Sequence, residues 1–243
     1  MPRELFAINP NIARDALSAD YRSHGRVQVR DVLTPDTASE VQALLAKGTA
    51  WGLGWRAGDA DPRNVRAEVL ARLSQAEREA MWRAGAEAMA GDGYAFQFAQ
   101  YPMLDAYLGK WDAGGAHDIL LEHINAEPFL DLVREITGIP ELIKADAQAT
   151  LYAPGHFLAL HNDSHVGEGW RVAYVLNMCV GEWRPDWGGY LNFYDDDGDV
   201  VAGYRPRFNA LNLFAVPQKH AVTYVPPYAP VARFAVTGWF RDR

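Results

Sequence analysis

The chain has 243 residues, 49% of them hydrophobic, which is enough for one domain with a sizeable core. A net charge of −8 argues against a nucleic-acid partner, and a single cysteine, Cys179, excludes an intrachain disulfide. The first residues lack the apolar core of a signal peptide, and no run of about 18 apolar residues could span a bilayer. We therefore expect a cytoplasmic protein with no membrane partner. The sequence is compatible with both a monomer and an oligomer.

Residues 1–145 are mainly helical in pattern, and we expect these helices to support a core formed by the remaining residues. Capping residues, a proline at a first helical position and apolar residues at helical spacing indicate three helices. They begin at Thr34-Pro35, run from Ser74 towards Met89, and cover Glu127 to Thr137. The polar, glycine-bearing stretch from 48 to 64 is predicted to be a loop.

From residue 146 onwards the pattern changes to short runs rich in β-branched and aromatic residues, separated by turns. The predicted strands cover 147–152, 157–161, 171–178, 190–194, 209–216, 220–225 and 232–240. Short strands at this spacing favour a jelly roll, or double-stranded β-helix, with the helices packed on one of its sheets. The fold class predicted for the chain is mainly β with N-terminal helices, as a single domain whose jelly-roll core is 146–243.

His161-Asn162-Asp163 and the distant His220 carry the ligand types of a non-heme Fe(II) centre. Residues i and i+2 of a strand project from the same face, so His161 and Asp163 can bind one ion together. His220 would then arrive from another strand. Each residue also has a structural interpretation, because such triplets occur by chance and a lone histidine is more often a surface or core residue. In combination they predict a metal site with open positions.

Arg233 begins an apolar and aromatic run that is typical of a buried strand. A buried arginine is rarely without a partner. Because strand side chains alternate, Arg233 shares a face with Ala235, Thr237 and Trp239. A guanidinium and a hydroxyl inside a barrel suit a carboxylate brought in by a small molecule. Alternatively, Arg233 pairs with a buried Asp or Glu of the protein itself.

Five segments between Ala149 and Phe240 follow one another in a characteristic order. They are Tyr152-x-x-Gly155-His-Phe-Leu158-x-x-His161-x-Asp163, Arg171-Val-Ala-Tyr-Val-Leu-Asn177, Trp187-Gly-Gly-Tyr-Leu-Asn-Phe-Tyr194, Asn212-Leu-Phe-x-Val-Pro-x-x-His220 and Arg233-Phe-Ala-Val-Thr-Gly-Trp239. In this order they resemble the Fe(II)- and 2-oxoglutarate-dependent dioxygenases, and among these the prolyl-hydroxylase-like branch.

The resemblance implies roles for seven residues, and His165 and Asn177 are further candidates. It implies that the metal ligands are His161, Asp163 and His220, and that 2-oxoglutarate is bound by Arg233 with Thr237 and covered by Tyr152. Residues expected near the substrate or behind the ligands are Trp239, His165 and Asn177. The separation of His220 from Arg233 is longer than in this branch, and we expect the proline-rich stretch from 225 to 230 to project as a turn that absorbs the difference.

The function implied is hydroxylation of a prolyl residue in a peptide or protein, using Fe(II), 2-oxoglutarate and O₂, with ascorbate as an accessory reductant. Asp163 favours hydroxylation over halogenation, because related halogenases replace this carboxylate by a small residue. Hydroxylation of a free amino acid or small metabolite is a second hypothesis, and a non-catalytic cupin-like module that binds a metal or ligand is a third. The stretches 48–64 and 164–170 are candidate lids, and the shape of the lid would separate the first two hypotheses.

Overall fold

A computed structural model describes residues 6–163 and 166–243 of the chain. The helices are α1 (Arg14–His24), α2 (Pro35–Ala43), α3 (Ala67–Arg72), α4 (Gln75–Ala90), α5 (Met103–Leu108), α6 (Ala116–Ile124) and α7 (Glu127–Thr137). The strands are β1 (Arg26–Arg30), β2 (Gly52–Ala57), β3 (Arg63–Val65), β4 (Ala95–Tyr101), β5 (Lys144–Ala145), β6 (Gln148–Tyr152), β7 (Phe157–His161), β8 (Trp170–Asn177), β9 (Leu191–Tyr194), β10 (Val200–Tyr204), β11 (Ala210–Ala215), β12 (His220–Val222) and β13 (Arg233–Arg241).

The strands form one antiparallel sheet that folds into a nearly closed barrel. Its order is β1-β11-β8-β13-β6-β4-β7-β12-β9-β10, and β2 extends it from β4. Strand β4 pairs with both β6 and β7, so it joins the two halves of the barrel. The predicted class, mainly β with a jelly-roll core and N-terminal helices, is confirmed.

The helices cover one face of the sheet, where most of the buried apolar residues form a single cluster. Phe129 of α7 packs on Phe240 of β13, with ring centroids 6.1 Å apart, and Tyr174 of β8 lies 5.0 Å from the same ring. The two faces of β13 lie in different surroundings, because Val236 belongs to this cluster whereas Arg233 lines the barrel interior. The helices therefore fix the outer face of the strand that carries the arginine.

The helical assignment of residues 1–145 is only partly right, because five strands lie within it. The predicted loop at 48–64 is wrong, since it contains β2 and most of β3, paired as a hairpin. A Cβ at Gly52 would overlap the carbonyl of Val65, so a glycine is needed where the two backbones approach. The glycines that indicated a loop are thus strand residues.

The predicted helix boundaries agree well with the structure. Ser74 and Glu77 form the capping box at the start of α4, and α7 covers Glu127–Thr137. The stretch from 223 to 232 has no strand, and the hydroxyl of Tyr228 in it donates to the carbonyl of Asp186 at 3.2 Å. The turn expected between His220 and Arg233 is therefore present. Strand β10 was not predicted, because its side chains are mostly exposed.

None of the helices in the described part of the chain is long and apolar enough to cross a membrane.

Replacing Ile136 by Ala should lower the free energy of unfolding by about 2–5 kcal/mol, because Ile136 is fully buried in the helix-side cluster and truncation leaves a cavity. Guanidinium chloride denaturation followed by tryptophan fluorescence measures the change. The matched control is Ile143→Ala, since Ile143 is 54% exposed and should change stability by less than about 0.5 kcal/mol. Equal effects of the two substitutions would contradict the packing described.

Candidate metal centre

His161, Asp163 and His220 meet at one point inside the barrel. His220 of β12 lies directly opposite His161 of β7 in the antiparallel register, and their ring centroids are 4.1 Å apart. One ligand atom from each of the three residues lies within 4.8 Å of the others, a spacing that could hold a metal ion. The sequence prediction that these residues come together agrees with this geometry.

Asp163 reaches the two histidines by a route different from the predicted one. Strand β7 ends at His161, so Asp163 does not continue the alternation of the strand. Its backbone is left-handed, with φ 51°, and this turn brings the carboxylate back towards the imidazoles. Aspartate is among the residues that tolerate this conformation. The period-2 argument therefore identified the right residue, but a turn rather than a strand positions it.

Hydrogen bonds at the far side of each ring leave the two Nε2 atoms free for a metal. Nδ1 of His161 lies 2.9 Å from the carbonyl of Ala159, and Nδ1 of His220 lies 2.8 Å from the carbonyl of Gln218. A carbonyl only accepts, so Nδ1 carries the proton and Nε2 keeps its lone pair. The Nε2 atoms lie 3.3 Å and 3.4 Å from the carboxylate of Asp163.

The electrostatics of the cluster favour the protonation states that metal ligands need. Burial, together with the neighbouring His161, lowers the pKa of His220 to about 4, which keeps the ring neutral. Burial by itself would raise the pKa of Asp163, but the neighbouring imidazoles of His161 and His220 and the hydrogen bond from Trp239 hold it below its ordinary value. The carboxylate of Asp163 is therefore charged and the ring of His220 is neutral, the states in which each can bind a metal ion.

Trp239 holds the carboxylate from behind. Its indole Nε1 donates to Oδ2 of Asp163 at 3.0 Å, and its ring stacks on Trp170 with centroids 4.0 Å apart. Its backbone N–H donates to Asp146 at 2.8 Å. The indole is thus fixed by a neighbouring ring and by the backbone, and it orients one oxygen of Asp163. Hydrogen-bond partners of metal-binding side chains strengthen the binding of the metal by orienting those side chains.

Arg233 is buried in the same cavity without a carboxylate partner among the described residues. It is 2% exposed, its Nε donates to Asn177 at 3.3 Å, and its guanidinium lies 5.1 Å above the ring of Tyr152. Its Nη1 is buried and has no hydrogen-bond partner in the described structure. Burial lowers the pKa of this guanidinium. The alternative of a protein carboxylate as partner is therefore not supported, and the free donor fits an anionic ligand.

A cavity of about 280 Å³ connects the metal cluster with Arg233. Of the residues predicted from the sequence, its wall contains His161, Asp163, His220, Arg233, Thr237, Tyr152 and Trp239. Asn177 lies behind this wall, where it positions Arg233. His165 falls outside the described residues, as does part of the candidate lid at 164–170.

The sequence prediction missed the wall contributed by β4. Tyr94, Phe96, Phe98 and Gln100 line the cavity from this strand and the residue before it, and Gln148 lines it from β6. Tyr94 lies 5.9 Å from the ring of His161, and burial together with the nearby Asp163 raises the pKa of its hydroxyl to about 12. These residues were missed because β4 was not predicted, although Phe96, Phe98 and Gln100 alternate with residues of the other face.

Residues 147–241 match the family model described as the 2OG-Fe(II) oxygenase superfamily. This match confirms, over the matched segment, the resemblance found in the sequence motifs. No curated protein matches the chain.

Three solved structures share the fold over nearly the whole chain. A prolyl-4-hydroxylase from Pseudomonas putida is 20% identical with a TM-score of 0.54, over 93% of this chain and 98% of that chain. A 2OG-Fe(II) oxygenase family oxidoreductase from Burkholderia pseudomallei is 12% identical with a TM-score of 0.61, over 98% and 94%. A prolyl hydroxylase from Trichoplax adhaerens, in complex with a hypoxia inducible factor peptide fragment, is 18% identical with a TM-score of 0.59, over 94% and 89%.

Replacing Trp239 by Phe should weaken metal binding about 10- to 100-fold, because it keeps a ring against Trp170 but removes the hydrogen bond to Asp163. Calorimetric titration with Mn(II) measures the dissociation constant. The control is Trp55→Phe, which also removes one indole hydrogen bond, to the carbonyl of Met81, away from the cavity. Wild-type affinity in Trp239→Phe would show that the indole has no role in holding the carboxylate.

Proposed function

We propose that the protein is an Fe(II)- and 2-oxoglutarate-dependent dioxygenase that hydroxylates a prolyl residue in a peptide or protein. Succinate and CO₂ would be the products formed from the cosubstrate. The observation that carries the proposal is the buried Arg233, whose free donor shares a cavity with His161, Asp163 and His220. A metal site alone is common to many proteins, whereas this pair of features suits a keto acid bound beside a metal.

His161, Asp163 and His220 would hold Fe(II) in this proposal. Two imidazoles and one carboxylate on one side leave the remaining positions of an octahedral ion open. When bound together with 2-oxoglutarate, Fe(II) activates O₂ and supplies an oxidant for an unactivated C–H bond. The chain contributes a carboxylate kept charged at Asp163, an imidazole kept neutral at His220, and a cavity that limits access of water.

Arg233 would bind the carboxylate of 2-oxoglutarate that lies remote from the metal. The bond from its Nε to Asn177 fixes the plane of the guanidinium, and the ring of Tyr152 supports one face. Its Nη1 then donates to the ligand instead of remaining without a partner. Thr237, on the same face of β13, adds a hydroxyl in the cavity wall. Such a grip sets both the distance and the angle of the cosubstrate.

The charges in the cavity favour an uncharged substrate group. Apart from the two histidines, which would bind the metal, the charged side chains in the described cavity wall are Asp163 and Arg233. The metal would neutralise the charge of Asp163, and the cosubstrate would neutralise that of Arg233. A free amino acid would bring in an ammonium and a carboxylate, and burying such charges unpaired costs several kcal/mol. A residue inside a polypeptide brings in neither. We therefore favour a peptide or protein substrate over a free amino acid, and the peptide-bound Trichoplax adhaerens neighbour supports this choice.

Replacing Arg233 by Ala should raise the KM for 2-oxoglutarate about a hundredfold, because the charged hydrogen bonds to the distal carboxylate are lost. The dissociation constant for Mn(II) should stay within about threefold, since Arg233 is not near the ligand atoms in this proposal. Arg233→Lys should recover only part of the loss, because an ammonium cannot reproduce the bidentate geometry. Succinate formation and calorimetry measure the two quantities. An unchanged KM in Arg233→Ala would contradict the assigned role, whereas the absence of succinate formation by the wild type would favour a cupin-like module.

Incubation of the protein with Fe(II), ascorbate, 2-oxoglutarate, ¹⁸O₂ and a proline-containing peptide library should add one labelled oxygen atom to prolyl residues. Tandem mass spectrometry locates the label, and succinate is quantified in parallel. His220→Ala is the negative control, because it removes one proposed metal ligand. Succinate with no labelled peptide would show that the substrate class is wrong. If neither succinate nor labelled peptide forms, the proposal that the protein is a dioxygenase is itself contradicted.

A further inference from the structure

Two side-chain amides lie together in the cavity wall, in surroundings that are otherwise mostly apolar or aromatic. Gln100 projects from β4 and Gln148 from the neighbouring strand β6, and Nε2 of Gln100 donates a hydrogen bond to Oε1 of Gln148. Gln100 is only 8% exposed. These two residues, called the amide pair below, have no role in the metal or cosubstrate sites proposed above.

The amide pair keeps one donor and one acceptor for a ligand. Nε2 of Gln148 and Oε1 of Gln100 have no hydrogen bond to any residue of the described structure beyond the bond that joins the pair. Whichever glutamine donates in that bond, at least one NH₂ group and one carbonyl oxygen remain without a partner among the described residues. Polar groups that lose water without gaining a partner destabilise a complex. A ligand that fills this part of the cavity must therefore supply one acceptor and one donor.

The position of the amide pair places it close to the metal centre. Gln148 lies opposite Thr237 in the β6–β13 register, and Trp239, which contacts Asp163, is two residues further along β13. Strand spacing of about 4.8 Å and a rise of about 6.7 Å over two residues put the Cα atom of Gln148 about 8 Å from the Cα atom of Trp239. Consecutive Cα atoms of a polypeptide are about 3.8 Å apart. The amide pair and the three proposed metal ligands line one cavity, so the pair faces the space that a peptide group adjoining the oxidised residue would occupy.

The structure also leaves space beyond the amide pair. Gln100 and Asn64 line both the metal cavity and a second cavity of about 200 Å³. The wall of this second cavity includes Trp111, and the guanidinium carbon of Arg66 lies 3.8 Å from the centroid of the Trp111 ring. A Cβ at Gly54 would lie 2.7 Å from Oε1 of Gln100, so a glycine at this position makes room for the amide. A chain leaving the metal cavity on this side would pass directly over Gln100.

We propose that the amide pair is a specificity-determining site that binds the two peptide groups flanking the residue to be oxidised. The carbonyl of the preceding group accepts from Gln148 Nε2, and the N–H of the following group donates to Gln100 Oε1, because in an extended chain these two groups face the same side. This inference rests on the proposed function and deepens it, because it explains how a cavity without a free charge selects a residue within a polypeptide. An ester, which lacks the N–H, or a zwitterionic amino acid satisfies the pair less well.

The test uses the full chain loaded with Mn(II) and N-oxalylglycine, an unreactive analogue of the cosubstrate. Three probes are titrated: N-acetylproline methylamide, N-acetylproline methyl ester and free proline. Paramagnetic broadening of the probe signals by Mn(II) reports binding close to the metal and gives a dissociation constant. The methylamide should bind about fivefold more tightly than the ester, since the two differ by one hydrogen-bond donor, and free proline should bind most weakly.

Gln100→Met and Gln148→Met keep the length of the side chain but remove its hydrogen bonds. Gln100→Met should bring the ratio of ester to methylamide dissociation constants close to one, and Gln148→Met should weaken both neutral probes. The matched control is Gln97→Met, because Gln97 is on the same strand and buried, has an Oε1 without a partner in the described structure, and does not line the cavity. Gln97→Met should behave like the wild type, and all variants should bind Mn(II) and N-oxalylglycine normally.

Equal binding of methylamide and ester by the wild type, or an unchanged ratio in Gln100→Met, would overturn the inference. So would tighter binding of free proline than of the methylamide. If the wild type binds Mn(II) and N-oxalylglycine but none of the probes, the inference is overturned while the proposed dioxygenase stands. If it binds neither Mn(II) nor N-oxalylglycine, the proposed function fails and the inference fails with it.

Discussion

The burial of Arg233 without a counter-ion in the described structure is the constraint on which the site depends. A guanidinium taken out of water needs compensation, and Asn177 and the ring of Tyr152 provide only part of it. The rest of the fold keeps this arrangement in place, because the helix-side cluster holds the opposite face of β13. The free energy of that apolar packing therefore maintains a polar group in a position that an anionic ligand can use.

Strand β4 links this packing to the chemistry of the cavity. By pairing with β6 and with β7 it ties the strand that carries Tyr152 to the strand that ends in His161. The same strand contributes aromatic residues and Gln100 to the cavity wall. One element thus sets both the distance between the two halves of the barrel and the shape of the space that would receive a substrate. The metal ligands and the substrate wall cannot move independently.

Much of the candidate site could be predicted from the sequence, for specific physical reasons. His161, Asp163 and His220 are chemically distinctive, and the apolar run around Arg233 makes a buried strand with a charge easy to notice. Strand β4 and the β2–β3 hairpin were not predicted, because β4 pairs with strands distant in sequence and the glycines of β2 indicated a loop. Gly52 and Gly54 are turn residues in most local contexts, and only the close approach of a neighbouring backbone or side chain explains them here. The amide pair was hidden for the same reason.

The left-handed backbone at Asp163 places folding and function in opposition at a single position. Glycine adopts φ near 51° with less strain than aspartate, so replacement of Asp163 by glycine would relieve the local backbone. Evolution towards a more stable apoprotein would therefore tend to remove the residue that completes the metal cluster. Retention of an aspartate in this conformation is what a trade-off between thermal robustness and catalysis would produce.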